Sequence, residues 1–315
     1  MSLALYTKDL RKTYPGKPPV EAVRGLDLKV PAGITFGLLG PNGAGKTTTV
    51  EILEGLLEPT AGQVEVLGMS WAKDAATLRE RIGVSLQETQ LAEKLTVAET
   101  VAMFGSFYRK PRNPDELIEL VGLAEKRDAW VVNLSGGQKQ RLAVATSLVG
   151  DPDLLFLDEP TTGLDPQSRR QLWDVIRELK SRGRTILLTT HYMDEAERLA
   201  DLVAVVDHGK VIALGSPAEL IATLGGEHVI EFAIENGGSG DLELPLEPLQ
   251  ALPSVIGART EAGSVQLTVG EPHLAIPALL DHLDRERRPM TRLTTRHASL
   301  EDVFVNLTGR HLRDG

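Results

Sequence analysis

The sequence predicts an α/β fold built on a parallel β-sheet, followed by a smaller α+β domain. Apolar runs typical of strands alternate with helical patterns up to about residue 224, as in parallel sheets with crossover helices. One of these runs meets a helix through a glycine-rich loop, Gly40 to Thr48. Beyond LGGEH, Leu224 to His228, the pattern changes to half-buried strands. We therefore expect a first domain over residues 1–224 and a second over residues 225–315.

Composition is typical of a water-soluble globular protein. Of the 315 residues, 42% are hydrophobic and 25% are charged. The net charge of -10 disfavours nucleic acid and anionic lipid as partners of the whole surface, and the lack of cysteine excludes disulfides and thiolate sites. The start MSLALYTKDLRK lacks a signal-peptide core, and no run approaches the roughly 18 apolar residues of a membrane span. We expect a cytoplasmic chain that reaches a membrane only through a protein partner.

The elements of the first domain follow from local patterns. YPGKPP and PAG separate β-rich runs between Leu3 and Gly40, ITFGLLG is typical of a buried strand, and a helix is expected from Lys46. Residues from Glu88 to about Val132 form a predicted helical insert, in which Thr96 and Glu99 make a capping box and PDELIELVGL is a second helix. One helical face of this insert should carry Val97, Val101, Phe104 and Tyr108.

Later elements continue the alternation. A helix from Gln138, the strand DLLFLD, a helix from Pro166 and the strand TILLTTH should complete the sheet. In the second domain, Ile230, Phe232 and Ile234 alternate with polar or small residues, and Val265, Leu267 and Val269 repeat the pattern. ASLEDVFVNLTG predicts a final helix capped by Ser299 and Asp302.

The glycine-rich loop fits the phosphate-binding pattern G-x-x-x-x-G-K-[ST], between an apolar strand and a helix. Its backbone N–H groups can converge on phosphates, where the helix dipole also favours an anion. Lys46 can reach the β- and γ-phosphates, and Thr47 offers a hydroxyl to Mg²⁺. The sequence therefore predicts a nucleotide site here.

Polar side chains follow other predicted strands. Asp158 and Glu159 follow the apolar run in DLLFLDEP. Ligands of parallel sheets bind beyond the carboxyl ends of the strands, so both carboxylates should face the bound phosphates. Asp158 is then expected to hold Mg²⁺, and Glu159 to orient or deprotonate water. Gln87 and His191 also follow strands and can bond a γ-phosphate or its water, although a single polar residue at a strand end is more often satisfied locally. Tyr14 could stack on adenine or simply pack.

A second helix start also suits an anion. Ser135, Gly136 and Gly137 precede QKQRLAVATSLVG, which offers a hydroxyl and bare amides at a helix N-terminus. The alternative is an ordinary serine cap followed by flexible glycines. Spacing does not decide whether such a site would serve the same nucleotide or another one.

In order along the chain, the phosphate loop, Gln87, LSGGQ, LLFLDEP, GLDP and TTH resemble the motifs of ATP-binding cassette ATPases over residues 3 to 224. The resemblance implies a RecA-like parallel-sheet core with an N-terminal antiparallel β subdomain and a helical insert. It further implies a head-to-tail homodimer around two Mg-ATP, in which the LSGGQ helix of one copy closes on the γ-phosphate held by the other. Both sites are then expected to hydrolyse ATP.

The resemblance assigns roles residue by residue. It implies that Tyr14 stacks on adenine and that Thr47 and Asp158 hold the Mg²⁺ ion. Gln87 would sense this Mg²⁺ and the attacking water. Glu159 would be the catalytic base, and His191 beside it would be the switch that contacts the γ-phosphate. The ATP-binding loop comprises Gly40, Pro41, Asn42, Gly43, Ala44, Gly45, Lys46, Thr47 and Thr48. Contacts to the partner's ATP are assigned to Ser135, Gly136, Gly137, Gln138 and Asp165.

GLDP and the closing ASLEDVFVNLTG are similar to ATPases of drug-resistance and polysaccharide or lipid exporters, whose permease is a separate chain. The face bearing Phe104, Phe107 and Tyr108 is then a candidate docking surface for that permease on the cytoplasmic side of the membrane, or an ordinary packing face. Two other functions stay open: a soluble cassette ATPase acting on ribosomes or DNA, and a regulatory binder whose second domain senses a ligand or stabilises the dimer. A single phosphate loop and the absence of a long coiled-coil insertion disfavour the soluble machine.

Overall fold

The computed structural model describes residues 2–86, 89–234, 244–261 and 263–309. The chain forms two compact units, of which the first extends to Ser216 and the second begins at Pro217. This division differs from the predicted boundary after Leu224 by one short helix, and the predicted boundary stays a proposal. Among the described residues, no helix is long and apolar enough to cross a membrane.

The first unit contains nine strands and seven α-helices within its described residues. The strands are β1 (Leu3–Tyr14), β2 (Val20–Pro31), β3 (Thr35–Leu39), β4 (Ala61–Val66), β5 (Ile82–Ser85), β6 (Leu154–Asp158), β7 (Thr185–Thr190), β8 (Leu202–Asp207) and β9 (Lys210–Gly215). The helices are α1 (Lys46–Leu53), α2 (Trp71–Arg81), α3 (Val97–Gly105), α4 (Pro114–Leu120), α5 (Gly136–Ser147), α6 (Pro166–Ser181) and α7 (Met193–Leu199).

Two sheets make up the first unit. Strands β2, β1 and β4 form an antiparallel sheet in that order, and buried and exposed residues alternate along the second half of β2. Strands β5, β6, β7, β3 and β8 run parallel, and β9 closes this sheet antiparallel to β8. All residues of β3 and β7 are buried, because α5 and α6 cover one face of the parallel sheet and α1 with the antiparallel sheet covers the other. The predicted α/β class is confirmed.

The helical insert confirms one local prediction and corrects another. Thr96 caps α3 and forms the predicted capping box with Glu99. The prediction that Tyr108 shares a face of this helix was wrong, because α3 ends at Gly105. Tyr108 instead packs its ring against Gly150, where an added Cβ would lie 2.3 Å from the ring.

The second unit is a β-α-β-β-α-β arrangement flanked by two short helices. Its elements are α8 (Pro217–Ala222), β10 (His228–Ile234), α9 (Leu246–Gln250), β11 (Val255–Glu261), β12 (Ser264–Val269), α10 (Pro272–Arg285), β13 (Met290–His297) and α11 (Leu300–Thr308). The antiparallel sheet has the order β11-β12-β10-β13. Helices α9 and α10 pack on the face that carries Ile230, Phe232 and Leu267. The predicted capping box of α11, Ser299 with Asp302, is confirmed.

Candidate functional site

Three neighbouring strands bring the predicted residues to one edge of the parallel sheet. Thr190 at the end of β7 pairs with Leu39 of β3, and Asp158 at the end of β6 pairs with Thr189 of β7. The glycine-rich loop, Glu159 and His191 therefore each lie directly beyond the end of one of these adjacent strands. Ligands of parallel sheets bind at this edge.

The glycine-rich loop leaves the N-terminus of α1 open. Gly45 adopts a left-handed backbone with φ of 98°, and an added Cβ would lie 2.3 Å from the carbonyl oxygen of Ala22. Only glycine meets both requirements without a clash. No side chain caps α1, so its first N–H groups are available to an anionic ligand.

Lys46 is buried at the base of this loop. Its Nζ donates hydrogen bonds to the carbonyl oxygens of Gly40 at 2.7 Å and Pro41 at 3.0 Å. Burial lowers the pKa of the Lys46 ammonium group, against the opposing effect of the charges on Glu159 and Asp158. A phosphate in the loop would add a further anionic neighbour that favours the charged form of Lys46.

A cavity of about 1000 Å³ lies in front of the loop and is large enough for a nucleotide. Most of the predicted ATP-binding and catalytic residues line it, and these are Tyr14, Asn42, Gly43, Gly45, Lys46, Thr47, Thr48, Glu159 and His191. Gly40, Pro41, Ala44 and Asp158 lie outside its lining. Tyr14 closes one side, with its hydroxyl 3.5 Å from Oγ1 of Thr48.

Hydrogen bonds fix both the backbone and the carboxylate of Glu159. Its backbone has φ of 45°, a left-handed conformation that a non-glycine residue adopts only when its surroundings impose it. Its N–H donates to Oγ1 of Thr189 at 3.0 Å. Its Oε2 accepts from the Thr162 hydroxyl at 3.1 Å and lies 3.2 Å from Nδ1 of His191.

Asp158 lies behind Glu159 and is fixed by the hydroxyl of Thr189, which donates to its Oδ1. A further carboxyl, Glu54, is buried near Asp158 at the end of α1. Burial, together with the charges of Asp158 and Glu51, raises the pKa of Glu54 to about 8. Glu54 is therefore mostly neutral at pH 7 and adds little negative charge beside Asp158.

The oxygen atoms present fit Mg²⁺. Thr47 supplies a hydroxyl in the cavity and Asp158 a carboxylate at the adjoining strand end. In the described part of the chain, no group of three or more His, Cys, Asp or Glu residues could hold a metal by itself. Mg²⁺ suits such a place, because it binds through one or two protein oxygens together with substrate phosphates.

The second predicted anion site lies elsewhere. Helix α5 begins at Gly136 rather than at the predicted Gln138, because Ser135 and Gln138 form a capping box. Gly136 and Gly137 supply the first two N–H groups of α5. An added Cβ on Gly137 would lie 2.4 Å from Oγ of Ser168. Asp165 caps α6 by accepting from the backbone of Gln167 and Ser168 at 3.0 Å.

None of Ser135, Gly136, Gly137, Gln138 and Asp165 lines the nucleotide cavity among the residues described. The structure therefore separates the two predicted anion sites within one chain. Gln87, predicted to contact Mg²⁺ and water, lies outside the described residues.

Sequence reasoning missed the groups that hold the side chains predicted to be catalytic. Thr162 and Thr189 bond the two carboxylates, and the Tyr192 ring lies 4.1 Å from the His191 ring. The only sequence indication was position: hydroxyls and an aromatic ring directly beside the strand-end residues in EPTT and TTHY.

Comparison with known sequences gives long matches. The sequence model of the family described as ABC transporter matches residues 23–162. The daunorubicin/doxorubicin resistance ATP-binding protein DrrA of Streptomyces peucetius is 41% identical over 99% of this chain and 94% of its own length. The Nod factor export ATP-binding protein I of Ralstonia nicotianae is 43% identical over 98% of this chain and 95% of its own length.

Solved structures of ATP-binding cassettes match about two thirds of this chain. The ATP-binding cassette MJ0796, in a dimeric post-hydrolysis state bound to ADP and Pi, superposes with a TM-score of 0.61 at 25% identity. That match covers 67% of this chain and 98% of the other. The cbiO1 protein of Clostridium perfringens, part of the ABC transporter complex cbiONQ, gives a TM-score of 0.63 at 30% identity, over 70% and 92% of the two chains.

Proposed function

The chain belongs to the family of ABC transporter ATP-binding proteins and is an ATPase, and we propose that its Mg-ATP site drives a separate transmembrane permease that exports its cargo. The observation that carries this proposal is the convergence of Lys46, Glu159 and His191 on one cavity beside an uncapped helix N-terminus. The names of the relatives DrrA and Nod factor export protein I support export.

In the proposed reaction, the loop amides and Lys46 hold the phosphates while Tyr14 stacks on the adenine. Thr47 and Asp158 would hold Mg²⁺, which supplies charge neutralisation on the β- and γ-phosphates. Glu159 orients a water molecule and accepts its proton. His191, held against Glu159, donates a hydrogen bond to the γ-phosphate. Gln87 is assigned to the same water and metal.

We assign the second anion site to the ATP of another copy. Ser135, Gly136, Gly137 and Gln138 offer a hydroxyl and N–H groups but do not line the cavity of their own chain. A head-to-tail dimer would bring these groups, together with Asp165, onto the partner's γ-phosphate. Hydrolysis then removes the bridge between the copies, so that ATP and ADP favour different states. Dimeric cassettes among the structural neighbours support this arrangement.

The helical insert is our candidate for the permease contact. Of the three aromatic residues named there, Phe107 is 72% exposed, whereas Phe104 and Tyr108 pack against the core. Phe104 supports Phe107 edge-to-face, with ring centroids 6.2 Å apart. We therefore limit the proposed docking surface to Phe107 and the residues beside it. This surface would meet the permease on the cytoplasmic face of the membrane.

The test of the shared site uses the catalytic glutamate. Glu159→Gln should keep ATP binding, lose at least about two orders of magnitude in turnover, and form a dimer with Mg-ATP that light scattering detects. Glu125→Gln makes the same change at an exposed glutamate that does not line the cavity and is the matched control. Adding Ser135→Arg to Glu159→Gln should prevent the dimer and leave ATP binding unchanged. A Glu159→Gln chain that stays monomeric in saturating Mg-ATP would refute the shared site.

The permease is tested separately. The tagged Glu159→Gln chain is captured with ATP from detergent-solubilised native membranes, and the copurifying proteins are identified. Recovery of a multi-span membrane protein that Phe107→Ser abolishes supports the transport function. Recovery of ribosomal or DNA-bound proteins alone contradicts it.

A further inference from the structure

A second polar cleft, of about 390 Å³, lies between α6 and α7. Its charged side chains are Arg169, Arg170, Arg177, Arg198, Asp174 and Asp194. We call it the arginine cleft. Cationic side chains outnumber carboxylates here, although the chain as a whole carries a net charge of -10.

The two aspartates do not neutralise the arginine cleft. Arg177 pairs with Asp174 at 2.9 Å, and Arg169 approaches Asp194 only to 3.9 Å. Within the described residues, Arg170 and Arg198 have no carboxylate partner. A concave site with uncompensated guanidinium groups attracts anions.

Aromatic rings hold two of the guanidinium groups in place. Arg198 lies over the ring of Trp173, with 5.5 Å between Cζ of Arg198 and the ring centroid. The Trp173 ring is fixed in turn, because its Nε1 donates a 3.0 Å hydrogen bond to Glu195. Arg169 lies over the ring of Tyr192 at 4.5 Å. Nε of Arg169 has no hydrogen-bond partner among the described residues. The orientation of these two guanidinium groups is therefore already set, although Nε of Arg169 is itself buried.

A continuous line of contacts joins the arginine cleft to the catalytic carboxylate. Arg169 stacks on Tyr192, whose ring lies 4.1 Å from that of His191. Nδ1 of His191 lies 3.2 Å from Oε2 of Glu159. A change in the position of Arg169 would therefore reach Glu159 through the neighbouring rings of Tyr192 and His191, which are tilted by 40° to each other.

We propose that the arginine cleft binds a phosphate-bearing ligand and that its occupancy is transmitted through Tyr192 to His191. Phosphate is the anion that suits planar guanidinium forks, which bond two of its oxygens at once. The volume accommodates a small ligand or a single headgroup rather than a protein surface. Neither the ATP site nor the permease contact uses this cleft, so binding here can be measured whether or not export is correct.

Binding is tested on the full chain with inorganic pyrophosphate as the probe. Saturating Mg-ADP first fills the phosphate loop, and isothermal titration calorimetry then follows pyrophosphate. We expect saturable binding that becomes about ten-fold weaker for each arginine removed in Arg170→Ala/Arg198→Ala, since a hydrogen bond to a charged group accounts for about that factor. Arg170→Lys/Arg198→Lys should bind with intermediate affinity, because lysine keeps the charge without the fork. The matched control Arg127→Ala/Arg182→Ala removes two exposed, ion-paired arginines and should bind as the unchanged chain does.

A second arm identifies the source of the phosphate. Flotation with phosphatidylcholine vesicles containing phosphatidic acid should recover the chain through Arg170 and Arg198 if the ligand is a lipid headgroup. Pyrophosphate binding without flotation indicates a soluble ligand. Absence of both, or binding that the Arg170→Ala/Arg198→Ala variant retains in full, overturns the proposal.

Transmission is read at His191 by NMR. The imidazole signal of His191 is assigned by its loss in His191→Gln. In the chain bound to Mg-ADP, pyrophosphate should shift this signal. Tyr192→Leu removes the stacked ring and should abolish the shift while pyrophosphate still binds. A shift that persists in Tyr192→Leu, or an unmoved signal at saturation, overturns the proposed line of contacts.

Discussion

Hydrogen bonds at both ends of the residue hold the conformation of Glu159. Left-handed backbone is unfavourable for glutamate, and Thr189 and Thr162 hold it there from opposite ends, through its N–H and its carboxylate. The arrangement aims the carboxylate at the cavity before ATP arrives. Preorganisation of this kind lowers the cost of orienting the catalytic group during the reaction.

Tyr14 gives a prediction that separates stacking from hydrogen bonding. Tyr14→Ala should weaken ATP binding about ten-fold, because stacking of a base on an aromatic side chain contributes about 1–3 kcal/mol. Tyr14→Phe should bind as tightly as the unchanged chain, since the ring remains and only the contact with Thr48 is lost. Equilibrium titration with a fluorescent ATP analogue measures both variants. Equal losses in the two would favour the hydroxyl contact over the stack.

Asp302 gives a prediction about pH. Its carboxylate, 1% exposed, accepts from Arg259 at 2.8 Å and from Arg296 at 2.6 Å. Burial alone would raise the pKa of Asp302, but the hydrogen bond and charge of Arg296, with Ser299 and Arg259, lower it to about 2. Because the folded pKa lies below the ordinary value, the stabilisation is complete above pH 4. It should be lost between about pH 4 and pH 2, and it amounts to about 2 kcal/mol.

The measurement is urea unfolding of the second unit at several pH values, followed through the methyl NMR signals of Leu267 and Val269. Asp302→Asn should cost about 3 kcal/mol at neutral pH, since it leaves the two half-buried guanidinium groups of Arg259 and Arg296 without their anion. The same variant should lose the pH dependence between pH 4 and pH 2. Asp284→Asn, an exposed aspartate on α10, should change neither quantity.

At the scale of elements, the N-terminus of α5 is fixed by its packing against α6. The Cβ that Gly137→Ala adds would meet Ser168, whose own Oγ is held by Asp165, whereas Gly136→Ala adds a Cβ with nothing within 4 Å. We expect Gly137→Ala to lower the free energy of unfolding of the nucleotide-free chain by about 1–3 kcal/mol, the usual cost of overpacking. Gly136→Ala should change it by less than about 0.5 kcal/mol. Urea denaturation followed by tryptophan fluorescence compares them, and equal effects would contradict the packing argument.

Local signals in the sequence predicted local structure well. The capping boxes of α3 and α11 need only residues three apart, and both are present. The end of α3 was not predicted, because the apolar spacing continues to Tyr108 although the helix stops at Gly105, where Pro111 packs against the glycine. Strand β4 has no alternating apolar pattern, because most of its residues are exposed and it is held by pairing with β1.

At the scale of the whole molecule, the strand-end residues were predictable because chain order and sheet parallelism place them together. The phosphate loop, Glu159 and His191 needed only the rule that ligands bind beyond parallel strands. The supporting contacts of Thr162, Thr189 and Tyr192 depend on side-chain directions in three dimensions, which periodicity does not encode. The arginine cleft was missed for the same reason, since α6 and α7 are separated in sequence by β7.

The division into two units makes a last prediction about how nucleotide affects stability. ADP contacts only the first unit in our proposal, so Mg-ADP at 100 times its dissociation constant should stabilise that unit by about 2.7 kcal/mol and leave the second unchanged. All tryptophan and tyrosine residues precede residue 217, so tryptophan fluorescence reports the first unit alone, while methyl NMR signals of Leu267 and Val269 report the second. We expect Mg-ADP to raise the urea midpoint in fluorescence and not in the methyl signals. Lys46→Ala should remove the shift, because the loop loses its cation. Midpoints that move together by the same amount would mean that the two units unfold as one cooperative body, and the second would then share the stability that nucleotide gives to the first.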